Sequence, residues 1–368
     1  MKIAFVYDRV NKWGGAERVL QSLHDLYPTA PLYTAVYDKD LATWAKEFEV
    51  RSSFLQYIPF AKSHHEFFPW LTPIAFEQFD FSDFDLVISV TSAEAKTIIT
   101  KPGTIHICYC LTPPRYLWSN QYSHSTNLGF GFLNGLGKAF FSFMAPRLRM
   151  WDQLSSQRPD RYITLSHEVV RRIKKLYRKE ASVIYPPVDT EFFTPLDAPK
   201  KEYYVAVGRL VSYKRFDIII QACNALKKEL VVIGKGNQEN QLKKIAGPTI
   251  HFIEQVDDEL LRMHYREARA LICAGVEDFG LTPVEAQACG TPVIAYEKGG
   301  VKETVLENKT GVFYPEQTAQ SLQLALENFE TKSFSPESCQ ANAQRFSTSR
   351  FTKEFYTMVE KFMKNLLV

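Results

Sequence analysis

Two glutamates with seven residues between them, Glu277 and Glu285, lie in the stretch GVEDFGLTPVEAQACGTPVIAYEKGGV, Gly275 to Val301. Ionised carboxylates only accept hydrogen bonds, so the pair suits the hydroxyls of a sugar. Between them Thr282-Pro283 reads as a helix start, with Thr282 as N-cap, Pro283 in the first helical position and Gly290 as the stop. The apolar run 270–273 ahead of the loop reads as a buried strand. A strand aimed at a helix start suits an anion, because first-turn N–H groups lack intrahelical acceptors and the helix dipole favours negative charge there. On geometry alone the same residues favour a structural role: Thr282-x-x-Glu285 is a capping box, with Glu285 in the first turn returning a hydrogen bond to the N-cap amide. Glu277 is then a solvated loop acid.

Cations stand after another apolar run. Arg209 and Lys214, five residues apart, follow the strand expected over 203–207. The carboxyl edge of a parallel strand is where such sheets bind ligands, so both are candidates for an anion, while neighbouring Arg215 fits a charged helix start better. Near the N-terminus a strand over 2–7 leads through a loop to Gly14-Gly15 and then to the helical spacing Val19, Leu20, Leu23, Leu26. This glycine pair serves either a close approach of backbone to phosphate or simply a turn. The dinucleotide fingerprint Gly-x-Gly-x-x-Gly is absent there, which opposes a nicotinamide dehydrogenase. Gly234-Lys235-Gly236 also lacks the third glycine and reads as a turn.

The string from Gly275 to Ala295, with its Glu-x7-Glu spacing, closely resembles the signature of retaining nucleotide-sugar glycosyltransferases of family 4, of the bacterial surface-polysaccharide type. Gly208-Arg209-Leu210 with Lys214 is similar to that family's G-R-L-x-x-x-K, and Tyr185-Pro186-Pro187-Val188-Asp189 to its Y-P-P-V-D. The resemblance implies a GT-B fold, two doubly wound α/β Rossmann-like domains facing a central cleft. It also implies metal-independent transfer of a hexosyl or hexuronosyl unit from a UDP-sugar or GDP-mannose to a glycan hydroxyl, with retention. By residue, it gives Arg209 and Lys214 to the donor diphosphate, with Gly14 and Gly15 facing it. Glu277 takes the donor sugar and Glu285 the ribose, Phe279, Gly280, Leu281 and Thr282 line the donor, and the backbone of Val256 meets the base. The donor is a substrate; no cofactor or metal is expected.

Leu111-Thr112-Pro113-Pro114-Arg115-Tyr116-Leu117-Trp118 resembles the family's H-T-P-x-R-Y-x-W, with Leu111 where the histidine usually stands. His106 lies too far back along its strand to replace it. Arg115 and Tyr116 are candidates for the acceptor side, with Arg115 otherwise a cation stacked on an aromatic ring. The alternative function is a non-catalytic subunit that binds nucleotide sugar or glycan, of which Leu111 is the mark.

The elements that must carry these residues alternate strand and helix throughout, which predicts parallel sheets covered by helices. With 368 residues the chain exceeds a single small core. The expected division is an N-terminal domain over 1–185, a proline-stiffened linker over 186–198, a nucleotide-sugar domain over 199–348, and a helix over 349–368 returning to the first domain. Basic and acidic side chains nearly cancel at +3, which argues against nucleic acid as a partner. Six cysteines, most of them in apolar stretches and without a repeated metal spacing, suit buried thiols in a reducing cytosol. Asp83-Phe84-Asp85 has the form of a metal-binding D-x-D but reads as the polar entry to a strand.

Neither a signal peptide nor a membrane span is expected, so the protein is placed in the cytoplasm, at most peripheral to the inner face of the membrane. Three stretches bear on that surface. Aromatics crowd 54–81, including Tyr57, Phe60, Phe67, Phe76 and Phe81 beside His64 and His65, and fit core packing or a lipid-facing surface equally. Phe130, Phe132, Phe140, Phe141 and Phe143 mark 127–154 as a covering helix or an interfacial one. Arg171, Arg172, Lys174, Lys175, Arg178 and Lys179 give a helix that is a solvated face or a patch for anionic lipid.

Overall fold

The computed structural model describes residues 1–62, 68–119, 134–254 and 256–366, of which 134–141, 365 and 366 by backbone alone. It divides into two compact units, Met1–Tyr185 with Thr352–Val368, and Pro186–Phe351.

The first unit holds seven strands: β1 (Ile3–Tyr7), β2 (Leu32–Thr34), β3 (Val50–Ser52), β4 (Leu86–Thr91), β5 (Ile105–Cys110), β6 (Arg161–Thr164) and β7 (Ser182–Val183). They pair in the order β3-β2-β1-β4-β5-β6-β7, every pair parallel. The second unit holds β8 (Tyr203–Val207), β9 (Glu229–Ile233), β10 (Ile250–Ile253), β11 (Leu271–Cys273), β12 (Val293–Tyr296) and β13 (Gly311–Tyr314). Their order is β10-β9-β8-β11-β12-β13, again all parallel. Both sheets start at an inner strand, grow outward, then reverse. The reversal leaves a switch point between β1 and β4 in one sheet and between β8 and β11 in the other. Helices cover parallel sheets on both faces, which is why β1 and β4 are buried at every position and β1 reads as an unbroken apolar run.

The two readings of 54–81 divide by residue. Leu55, Phe76 and Phe81 join the core, with Phe54, Phe68 and Phe79 packed on it. Tyr57 and Phe60 stand out, 85% and 76% exposed. His64, His65 and Phe67 lie outside the described residues, as do Phe130 and Phe132 and the side chains of Phe140 and Phe141. Helix Asn134–Ser155 buries Ala145, Leu148 and Asp152 on one side and exposes Phe143, Met150 and Leu154 on the other. The basic helix His167–Tyr177 is capped by Ser166, whose hydroxyl accepts from the Val169 amide at 3.2 Å. It faces Val169, Ile173 and Tyr177 inward and leaves Arg171, Lys174 and Lys175 exposed.

Residues 186–198 pack within the second unit: buried Val188 donates its amide to Phe346 O at 2.9 Å and accepts from the Thr348 amide at 3.1 Å. The final helix, Thr348–Leu366, begins in that unit and from Thr352 onward belongs to the first, where Phe355 meets Tyr109. Among the described residues no helix is long and apolar enough to cross a membrane. All six cysteines are free and buried.

Candidate functional site

Lys214 lies in the short turn Ser212–Lys214 after β8, and Glu277 in the loop after β11. Because β8 and β11 are neighbours, these loops meet at the switch point of the second sheet, where doubly wound folds open a crevice for ligands. There Lys214 Nζ donates to Glu277 Oε1 at 2.6 Å, the side chains only 19% and 16% exposed. Burial disfavours the ammonium charge, but the carboxylate beside it outweighs burial, and the Lys214 pKa is raised. Arg209 is exposed and turned to Tyr213, whose hydroxyl accepts from Nη2 at 2.9 Å.

The helix after Glu277 corrects the expected capping. It runs Leu281–Ala288 with Gly280 as N-cap, and no side chain caps it. Gly280 adopts φ +96°, a left-handed turn that rotates the chain into the helix two residues before Thr282. Thr282 and Pro283 are therefore inside the first turn, where the missing proline N–H has no intrahelical acceptor to lose. Thr282 lies beside the Cys273 thiol. Glu285 falls beyond the first turn, is 5% exposed, and accepts from the buried Tyr265 hydroxyl at 3.0 Å. Beside this carboxylate, burial holds the Tyr265 pKa well above the ordinary phenol range.

The loop is fixed from behind by Gly299-Gly300. Glu277 forms a parallel bridge with Gly299 and its carbonyl accepts from the Gly300 amide at 2.8 Å. A Cβ on Gly299, at φ +84°, would lie 2.4 Å from Glu277 O. Gln287, fully buried, donates to Pro283 O at 2.8 Å and Thr304 O at 2.9 Å and accepts from Asn342 at 2.7 Å. These bonds tie the helix to two others. Phe279 is buried with its ring edge-on to Phe346, and Val256 is half-buried just before helix Asp258–Glu267.

In the first unit Gly14 caps helix Gly15–Leu26, and Glu17 in its first turn is buried and accepts from Tyr7 OH at 2.5 Å. That helix start thus already has a carboxylate near its positive end. The sequence reading missed what stands at the β1/β4 switch point. Asp8, after β1, accepts from Thr91 Oγ1 at 2.7 Å and from the amides of Ser92 and Ala95 at 2.8 and 2.9 Å. Arg9 pairs with Glu94 at 2.8 Å, and Tyr116 donates to the same carboxylate. Burial, more than any neighbour, raises the Glu94 pKa despite Arg9. The available signal was that charged residues closely follow two strands, Asp8-Arg9 directly after one and Glu94 three residues past the end of the other. Arg115 is half-buried in the short helix Arg115–Trp118. His106 is a core residue, its Nε2 2.8 Å from Ser89 Oγ, and burial followed by the Arg158 charge lowers its pKa to about 3. Among the described residues, no group of three or more His, Cys, Asp and Glu is placed to hold a metal ion.

Residues 188–346 match the family model described as Glycosyl transferases group 1. The D-inositol 3-phosphate glycosyltransferase of Geodermatophilus obscurus is 32% identical over 186 residues, covering 42% of this chain and 41% of that protein. The chain spans about half the length of the curated relatives it matches. Among solved structures, the sucrose-phosphate synthase of Thermosynechococcus elongatus superposes with a TM-score of 0.72 at 16% identity, covering 99% of this chain and 100% of that one. Anabaena HepE in complex with UDP-glucose superposes at 0.69 and 17% identity, covering 98% and 100%. At such identities the likeness is one of fold, and the fold is GT-B. The match to the group 1 family model thus falls on the second unit of a chain whose two units each have a Rossmann-like parallel sheet.

Proposed function

We propose that the protein is a retaining glycosyltransferase, moving a hexosyl or hexuronosyl unit from a UDP-sugar or GDP-mannose to a hydroxyl of a glycan acceptor. The observation that carries this reading is the meeting of Lys214, Glu277 and the amino end of helix Leu281–Ala288 at the β8/β11 switch point, inside the group 1 domain. As the bond from the anomeric carbon to the diphosphate lengthens, negative charge grows on the phosphate oxygens. Lys214, Arg209 and the first-turn amides beside Phe279, Gly280 and Leu281 stabilise that charge, with no metal ion required. Glu277 accepts from hydroxyls of the donor sugar and Glu285 from the ribose, with the Val256 backbone beside the base. The acceptor hydroxyl enters on the leaving-group side, and a phosphate oxygen takes its proton, which preserves the anomeric configuration. That Anabaena HepE was solved with UDP-glucose supports the UDP-sugar branch of this reading.

Arg115 and Tyr116 belong to the acceptor side, and the acceptor is lipid-linked, as in surface-polysaccharide synthesis. What supports the lipid is an exposed stripe of Phe143, Met150 and Leu154 on one helix, with Arg171, Lys174 and Lys175 exposed on another. Incubation with UDP-sugars and GDP-mannose plus candidate acceptors tests the reading, with NMR of the product for its anomeric configuration. Nucleotide release that depends on acceptor and yields a product of the donor's configuration supports it. An inverted product, or a donor that is bound and never consumed, contradicts it and favours a non-catalytic binding subunit.

A further inference from the structure

Lys214 is already held by a carboxylate at 2.6 Å, in a pair more than four-fifths covered from solvent. A diphosphate that reaches Lys214 must share this cation with Glu277, and anions sharing one cation in a partly desolvated site repel far more than they do in water. The cost depends on what the second phosphate bears. In an intact nucleotide sugar that phosphate is linked on both sides, to the first phosphate and to the sugar, and carries one negative charge, and the sugar beyond it offers hydroxyl donors to a carboxylate. In the free nucleoside diphosphate it is a terminal phosphate, bound only through the anhydride to the first. Near neutral pH it carries additional negative charge, since the second ionisation of such a phosphate falls near pH 6, and it has no hydroxyls to offer.

Resting on the donor reading above, we propose that Glu277 makes this site discriminate between the intact donor and the spent nucleotide, so that transfer of the sugar itself triggers release of the diphosphate. Before transfer Glu277 is satisfied by sugar hydroxyls. After transfer it faces an unshielded terminal phosphate and reclaims Lys214. The bridge to Gly299 and the Gly300 amide at 2.8 Å hold the Glu277 backbone against Gly299-Gly300. The raised Lys214 pKa keeps its ammonium charged near neutrality.

Equilibrium titration of the full-length wild type, Glu277→Gln and Glu277→Asp with UDP, UDP-glucose, GDP and GDP-mannose tests this. For the nucleotide that binds, Glu277→Gln should bind the free diphosphate about tenfold tighter than wild type, the order of one like-charge contact removed. It should bind the sugar conjugate no tighter, and inhibition of turnover by product should strengthen by the same factor. Glu277→Asp, which keeps the charge, should retain the wild-type preference. A free nucleotide bound equally or more weakly by Glu277→Gln overturns the inference while the donor reading stands, since Glu277 then only holds Lys214 in place. Should wild type bind none of the four, the donor reading fails and the inference with it.

Discussion

The Tyr265 hydroxyl donates to Glu285 Oε2 across 3.0 Å, with both side chains buried. This bond spans from helix Asp258–Glu267 to helix Leu281–Ala288 and orients the carboxylate assigned to the ribose. Tyr265→Phe leaves that oxygen without its phenol donor, a loss of about 1–3 kcal/mol for a buried acceptor. The expected result is a lower melting temperature and a donor KM raised several-fold with kcat little changed. Steady-state kinetics on the folded variant check it, and an unchanged KM would remove Tyr265 as a positioning residue.

Gly299 stands behind the Glu277 loop at φ +84°. An added Cβ would come within 2.4 Å of the Glu277 carbonyl, so backbone must shift to admit it. Gly299→Ala should destabilise the second unit by about 2–3 kcal/mol, within the range of backbone substitutions at left-handed positions. Transfer should fall even at temperatures where the variant is folded, because the displaced loop carries Glu277. Denaturant unfolding and activity at low temperature measure the two effects separately.

Asp152 and Lys96 form an ion pair at 2.5 Å that is almost wholly covered, and Trp118 and Tyr177 also donate to Asp152. Asp152→Ala strands the Lys96 charge and should cost about 3–5 kcal/mol. Replacing Lys96 and Asp152 together by Met and Leu should restore most of that stability. A double variant as unstable as the single would show that the Trp118 and Tyr177 bonds, rather than the stranded charge, carry the loss.

His106 provides a pH dependence. Its folded pKa is lowered to about 3 by burial and then by Arg158, against an ordinary value of 6.5. Between these values the unfolded chain binds a proton that the folded chain does not, so the stability associated with neutral His106 is full above pH 6.5 and declines as pH falls toward 3. The slope from this group approaches about 1.4 kcal/mol per pH unit. Urea midpoints across that range should fall with acid in wild type, and His106→Gln should flatten the decline.

Strand positions were legible because parallel strands buried on both faces leave unbroken apolar runs, as at β1 and β11. The helix start at Gly280 was misread because sequence shows Thr-Pro, a good cap pair, but not the left-handed φ that moves the start upstream. The Lys214–Glu277 contact was invisible for another reason: the residues are 63 apart, and only the strand order makes β8 and β11 neighbours. Arg9 and Glu94, 85 apart across the first sheet's switch point, were missed on the same ground. The Glu-x7-Glu string could name candidate residues, but not that one of them would already be paired.

The central claim is that the β8/β11 switch point receives the diphosphate of a nucleotide sugar through Lys214. Calorimetric titration of wild type and Lys214→Met with UDP, GDP and their sugar conjugates tests it most directly. The account predicts saturable binding of one nucleotide series by wild type and at least about a tenfold loss in the variant, or 1.4 kcal/mol and more. Equal affinity in wild type and Lys214→Met, with the variant folded, would contradict it.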